Sequence, residues 1–269
     1  MNRLSIGRKI RISMGANVLI KIEYDGTNFS GWQIQPNVRT VQGEIEHVLK
    51  YIAGEDVHIH GTSRTDAGVH ALGQCATFEW NSNMPVEKLA EVMNRRFGAG
   101  GTGRQGAPGD IRIISAETVP DDFHARYDCK GKTYRYIIDK TGDIFRRNTS
   151  FQYPGSEGLD IDAMREAASY IAGTHDFKCF ETAGGTPRET TVRTISALEI
   201  SEDDESIIIE VTGDGFLYNM VRIIVGTLVE TGDGRRDPAS VINAIESRDR
   251  AKAGFTAPPQ GLYLKEIYF

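Results

Sequence analysis

Val18-Leu-Ile-Lys-Ile-Glu-Tyr24 alternates apolar and polar residues and stops at Asp25-Gly26, the pattern of a half-buried strand ended by a turn. From Val41 the period changes. Val41, Ile45, Val48, Leu49 and Ile52 share one helical stripe, with Thr40 as N-cap and Gly54 as C-terminal stop. Strands are predicted over 56–61 and 72–80; in the second, Leu72, Gln74, Ala76, Phe78 and Trp80 fall on one face. Pro85 opens a second helix with Val86, Leu89 and Met93 on its apolar stripe, and Ile111 to Val119 reads as a strand. The order is β-α-β-β-α-β.

The rest of the chain repeats that order. Lys132 to Asp139 alternates as a strand, and Ile161, Met164, Ala168 and Ile171 form a helical stripe closed by Gly173. Strands rich in Ile and Val are predicted over 192–200 and 206–212. Helices follow over Met220 to Thr231 and Pro238 to Ser247, then a last strand from Leu262 to Phe269. The expected class is α+β: two RRM-like, or ferredoxin-like, β-α-β-β-α-β halves with a central, mainly antiparallel sheet and an active-site cleft between them. The halves span 18–120 and 121–269, after a basic extension, 1–17, expected to be poorly ordered.

Composition narrows the function classes. The 269 residues are 39% hydrophobic and 25% charged, an ordinary globular mixture. No apolar run approaches the roughly 18 residues of a membrane-spanning helix, and the N-terminus lacks the apolar core of a secretory signal. Cys75, Cys129 and Cys179 have no CxxC spacing, which excludes a disulfide framework and disfavours a zinc knuckle; a reducing, cytoplasmic setting is expected. The net charge of −6 argues against indiscriminate coating of nucleic acid. It is uneven, however: residues 1–22 carry Arg3, Arg8, Lys9, Arg11 and Lys21 and no acid, leaving −11 on the remainder. An RNA function requires cations gathered on one face.

Gly98-Ala-Gly-Gly-Thr-Gly103 fits the GxGxxG spacing of dinucleotide sites, but a helical segment precedes it and Gly106-Ala-Pro-Gly109 follows where a helix should begin. It is read as a loop. Arg95, Arg96 and Arg104 give that loop an RNA-contacting alternative to plain solvation.

The chemistry concentrates elsewhere. Gly61-Thr-Ser-Arg64-Thr-Asp66-Ala-Gly68-Val-His70 lies between two predicted strands. Structurally, Asp66 could cap a turn, Gly68 supply positive φ and Arg64 form a surface pair. Functionally, the same loop displays a carboxylate and an arginine at the mouth of a cleft. Arg126 and Tyr127 precede Lys130-Gly-Lys132-Thr-Tyr134-Arg135-Tyr136, which interleaves cations with rings able to stack on bases; an ordinary amphipathic strand has the same look. Arg222 is the one cation in the apolar run Met220 to Leu228 and needs an acceptor, either Asp66 or a structural acid.

Together these segments resemble the tRNA pseudouridine synthase A family. The resembling stretches are EYDGTNFSGWQIQP (23–36), RTDAGVHALGQCATFE (64–79), VPDDFHARYDCKGKTYRYII (119–138), FLYNMVRIIVGTLVETGDG (216–234) and APPQGLYL (257–264), in the family's order. The resemblance implies an enzyme that isomerises uridine to pseudouridine in the anticodon stem-loop of tRNA, typically at tRNA positions 38–40. It implies that Asp66 is the nucleophile, that Tyr134 lies over the target uracil, that Arg64 takes part in flipping the nucleotide and that Arg222 pairs with the catalytic carboxylate. It also implies two RRM-like halves, a homodimer, and neither metal nor organic cofactor. Arg222 within about 4–6 Å is expected to keep Asp66 ionised, and Tyr134 to stack on the base and help remove the C5 proton. His70, Arg126, Lys132 and Arg135 are further candidates for holding the substrate.

Two departures from the family pattern stand out: the glycine-rich stretch Gly98–Gly106 and the basic extension before Val18. Two rivals remain. One is a non-catalytic tandem RRM-like RNA-binding protein, against which Lys132 stands where an RNP1 motif wants an aromatic residue. The other is a metal-dependent hydrolase using His58, His60 and His70, for which no further ligand falls at suitable spacing. His124 and His175 read as structural.

Overall fold

The alternating segment becomes β1 (Ala16–Tyr24), whose Val18, Ile20, Ile22 and Tyr24 all turn inward. The computed structural model describes residues 15–98, 109–184 and 189–269. Helix α1 (Val41–Ala53) buries Val41, Ile45, Val48 and Leu49; the Thr40 side chain accepts from Gly43 N, and Gly54 closes the end at φ 79°. There follow β2 (His60–Gly61), β3 (His70–Trp80), α2 (Leu89–Phe97) and β4 (Ile111–Thr118). The remainder folds as β5 (Gly131–Asp139), β6 (Phe151–Gln152), α3 (Ile161–Ile171), β7 (Gly173–Asp176), β8 (Val192–Glu202), β9 (Ser206–Gly213), α4 (Met220–Gly232), α5 (Ser240–Ser247) and β10 (Leu262–Tyr268).

One 10-stranded sheet runs β4-β1-β3-β10-β5-β9-β8-β7, with β2 on β3 and β6 on β5. With the short strands β6 and β7 set aside and the rest numbered by place within each half, the order reads fourth-first-third-second twice: β4-β1-β3 with β2 beyond, and β10-β5-β9-β8. The expected α+β class, with a mostly antiparallel sheet, is the one adopted. The seam is narrow. β10 lies parallel to β3 only over Tyr263↔His70 and Leu264↔Ala71, and farther along β3 its neighbour is β2, with His60↔Thr77 and Gly61↔Ala76. The loop 62–69 therefore springs from the fork where β2 and β10 share one edge of β3.

Several boundaries shift for physical reasons. The predicted strand 56–61 shrinks to two residues because Ile59 N donates to the Glu46 side chain rather than to a strand. Val86–Lys88 forms a 3-10 turn ahead of α2. Pro238 lies before α5, in a turn where Ser240 N donates to Asp237 O. Ala16 and Asn17, assigned to the extension, already belong to β1 through Ala16↔Trp80 and Asn17↔Glu79. Residues 1–14 of that extension lie outside the described residues, as does the glycine-rich stretch beyond Gly98. Of the residues expected to share one face of β3, Leu72 is exposed while Gln74, Ala76, Phe78 and Trp80 are buried.

Helix α4 is apolar nearly all round and buried to match, each Val, Ile or Leu contributing about 1.5–3 kcal/mol. Gly226 is required there: a Cβ would meet Phe255 O at 1.9 Å. Arg222 is thus a cation on a helix whose remaining faces are packed, and its direction is set by the core.

Candidate active site

The loop that carries Asp66 is clamped along its whole length. Thr62 donates to Cys75 O through both its N–H and its hydroxyl. The Ser63 backbone forms a reciprocal pair with the buried Gln74 amide: Ser63 N donates to Oε1 at 3.3 Å and Gln74 Nε2 donates to Ser63 O at 2.7 Å. Thr65 and Tyr24 share a hydroxyl bond of 2.7 Å, and Trp32 N donates to Thr65 O. Asp66 O accepts from Val69 N, which closes the turn, and Gly68 supplies the positive φ of 77° that the turn needs. With backbone and neighbours fixed, the Asp66 side chain is displayed at 36% exposure.

Arg222 approaches from the other half. Its Nε donates to Ala257 O at 2.6 Å and its Nη1 to Asn219 Oδ1 at 2.8 Å, and the same Nη1 stands 3.7 Å from Asp66 Oδ2. Asn219 holds the left-handed conformation at φ 60°, caps α4, and donates from Nδ2 to Thr182 Oγ1. Burial pushes the Asp66 carboxyl above its ordinary value, and the Arg222 charge pulls the other way without cancelling it. At this distance, with the guanidinium bonded elsewhere, the Arg222 charge favours the ionised form but does not outweigh desolvation.

Tyr134, on β5, lies under the same space. Its hydroxyl shares a 2.9 Å bond with Ser63 Oγ, and its ring meets Phe216 edge-on at 5.1 Å. Burial pushes the phenol up to about 12, with Ser63 opposing. At neutral pH it stays protonated, so it presents a ring and an O–H rather than a phenolate.

These groups line a cleft of about 790 Å3 that also takes in Arg64, Arg126 and Lys132. Arg64 and Arg126 are exposed and form no ion pair among the described residues, while Lys132 Nζ donates to Thr62 O. Two candidates lie elsewhere. His70 is 2% exposed; its Nδ1 accepts from Gly26 N at 3.1 Å with Asp25 Oδ1 at 3.2 Å, and its ring stacks on Tyr263 at 4.6 Å. It fastens the seam between β3 and β10 and does not line the cleft. Arg135 pairs with Glu210 at 2.7 Å because strand alternation sends it to the sheet face opposite Tyr134.

Sequence reading passed over Asn219, Ser63, Gln74 and Phe216. Asn219 stood within a quoted motif, but its backbone conformation has no signature there; the Ser63–Gln74 exchange is a contact that strand spacing does not reveal. No group of three or more His, Cys, Asp or Glu able to hold a metal ion occurs among the described residues, so the trio His58, His60 and His70 does not assemble.

The model of the family described as tRNA pseudouridine synthase matches residues 20–128 and 167–269. The chain belongs to the tRNA pseudouridine synthase family. The matched segments hold Asp66 and Arg222, while Tyr134 and Lys132 fall between them. Among similar proteins, a tRNA pseudouridine synthase A of Acetivibrio thermocellus is 47% identical over 256 residues, covering 94% of this chain and 99% of that one. A tRNA pseudouridine synthase A 2 of Clostridium tetani is 45% identical over 258 residues, covering 95% and 100%. One of Ruminiclostridium cellulolyticum is 45% identical over 265 residues, covering 97% and 100%. This tRNA pseudouridine synthase is accordingly an isomerase with tRNA as its substrate. None of its described helices is long and apolar enough to cross a membrane.

Proposed function

We propose that the enzyme isomerises uridines in the anticodon stem-loop of tRNA, at positions 38–40, with Asp66 as nucleophile. The observation that carries this is the Asp66 carboxylate, held on a clamped loop in a basic cleft, 3.7 Å from Arg222. A target base within a stem must be turned out at a cost of a few kcal/mol. Arg64, exposed at the cleft, fills the vacated space or holds a phosphate, and the Tyr134 ring receives the base. Arg126 and Lys132 take phosphates along the same wall.

The carboxylate then acts at C6 of the base or at C1′ of the ribose. By either route the N1–C1′ bond breaks, the base turns, and C5 bonds to C1′. The C5 hydrogen leaves as a proton and N1 regains one, so atoms and electrons balance without a co-reactant. Arg222 favours the ionised carboxylate that this attack needs, against the desolvation that makes it reactive. Within this reading the protein acts as a homodimer, an expectation taken from the resemblance and checked by sedimentation with and without tRNA, in the cytoplasmic setting that its cysteine usage suggests.

The test is tritium release from tRNA carrying [5-³H]uridine, with the product position mapped afterwards. Wild type should release tritium and place pseudouridine at 38–40, and Asp66→Ala should release none. Release by Asp66→Ala would remove the nucleophile assignment, and product mapped to another arm would remove the anticodon reading.

A further inference from the structure

Beside the cleft, three aromatic rings fan outward. His60 and His124 have ring centroids 5.2 Å apart at 31°, and His124 and Tyr127 are 4.4 Å apart at 39°. Tyr127, the outermost, is 78% exposed. A ring with that much surface in water adds little to the core and leaves its face open to a ligand.

The turn carrying His124 and Tyr127 is held by its own hydrogen bonds. His124 N donates to Asp128 Oδ2 at 2.7 Å, Arg126 N donates to His124 Nδ1 at 3.1 Å, and Tyr127 N and Asp128 N both donate to His124 O at 3.0 Å. Buried Ala125 donates from its N to Thr77 Oγ1, which pins the turn against β3. The ring of His124 is thereby oriented by the backbone before any ligand arrives, which removes most of the ordering cost of stacking on it.

The turn presents two cations, Arg126 and Lys130, and is continuous with the catalytic cleft. Arg126, between His124 and Tyr127, lines that cleft, and so does Gly61, next to His60. Arg126 and Lys130 are exposed and form no ion pair among the described residues, whereas the carboxylate of Asp128 is taken up by His124 N–H.

We propose that His60, His124 and Tyr127 form a stacking platform for one unpaired base of the tRNA, flanking the nucleotide that enters the cleft, with Arg126 and Lys130 on the adjoining phosphates. Rings beside guanidinium and ammonium groups are what single-stranded RNA requires, and the stack accepts any base because every base has a π-face. The proposal rests on the anticodon reading above, in which unpaired loop nucleotides adjoin the modified stem.

The experiment compares wild type, Tyr127→Ala, Tyr127→Trp and His60→Ala on a tRNA that the wild type modifies. A second set of RNAs carries a single abasic nucleotide at each unpaired position flanking the mapped uridine. Tyr127→Ala is expected to raise Kd and KM roughly 5- to 150-fold, the range for losing one stacked base, with a smaller change in kcat. Tyr127→Trp should restore binding, and His60→Ala should weaken it less than Tyr127→Ala. One abasic position should reproduce the loss in wild type and add nothing to it in Tyr127→Ala. Wild-type binding by Tyr127→Ala would overturn the platform, and so would a loss of equal factor on every abasic RNA; unchanged melting of the variants excludes unfolding as the cause. Pseudouridine mapped outside the anticodon arm would remove the functional reading alone, since the coupling between Tyr127 and a flanking base is read on whichever arm is used.

Discussion

Arg222 faces Asp66 without grasping it. Its Nη1 lies 3.7 Å from Asp66 Oδ2, while its shorter contacts, 2.6 Å to Ala257 O and 2.8 Å to Asn219 Oδ1, are made within its own half. The guanidinium is therefore positioned independently of the carboxylate, which stays available to a substrate. A tight bidentate pair would have occupied the oxygens that the proposed reaction needs.

The first consequence is a pH profile. In the proposed reaction Asp66 acts as a carboxylate, and burial raises its pKa above the ordinary 3.8 while Arg222 lowers it. Turnover should fall as pH drops through a value above that of a free aspartate. Arg222→Gln removes the lowering influence, so the acid limb should move to higher pH as the rate falls. Single-turnover tritium release across the acid range measures both, and a limb that stays in place in Arg222→Gln would show that the two charges are not coupled.

The same shift has a stability counterpart. A carboxyl whose pKa is raised on folding carries no penalty below its unfolded pKa and the full penalty above its folded one. Replacing it by a neutral isostere should therefore favour the folded state more at neutral than at acid pH. Thermal melts of Asp66→Asn and wild type should diverge in the variant's favour as pH rises from about 3 to about 7. A constant difference between the two would contradict the raised pKa.

Asn219 separates strain from contact. Its left-handed backbone costs a non-glycine residue about 1–2 kcal/mol, and its side chain holds Arg222 and Thr182. Asn219→Gly and Asn219→Ala both lose those bonds, and activity should fall in both. Only the alanine variant keeps the backbone penalty, so it should be less stable than the glycine variant by about 1 kcal/mol in urea unfolding. Equal activity of Asn219→Gly and wild type would show that Arg222 needs no such holder.

Salt dependence discriminates among the cations. Arg64, Arg126 and Lys132 line the cleft, and each alanine variant should weaken tRNA binding and reduce the slope of log K against log salt by about one. Arg135 is paired with Glu210 on the far face, so Arg135→Ala should leave that slope unchanged. A lowered slope in Arg135→Ala would place RNA on the opposite side of the sheet.

Much was legible in the sequence because it is local. The period-two run of Val18 to Tyr24, the helical stripe from Val41 and its caps at Thr40 and Gly54 depend on neighbouring residues alone, and all appear in the structure. The loop around Asp66 was likewise visible through its turn residues and its family resemblance. The alternation of Tyr134 and Arg135 was legible too, but not which of them faces the cleft: that depends on the side of the sheet the helices cover. The inward turn of His70 follows from the Tyr263 ring it meets across the seam, far along the chain. Local periodicity, turn chemistry and motif thus came from the sequence by itself. The meeting of Asp66 with Arg222, the left-handed Asn219 that aims the arginine and the fan of rings at Tyr127 were decided only by tertiary structure. Each depends on groups that the fold brings together from separate elements, which no spacing along one segment encodes.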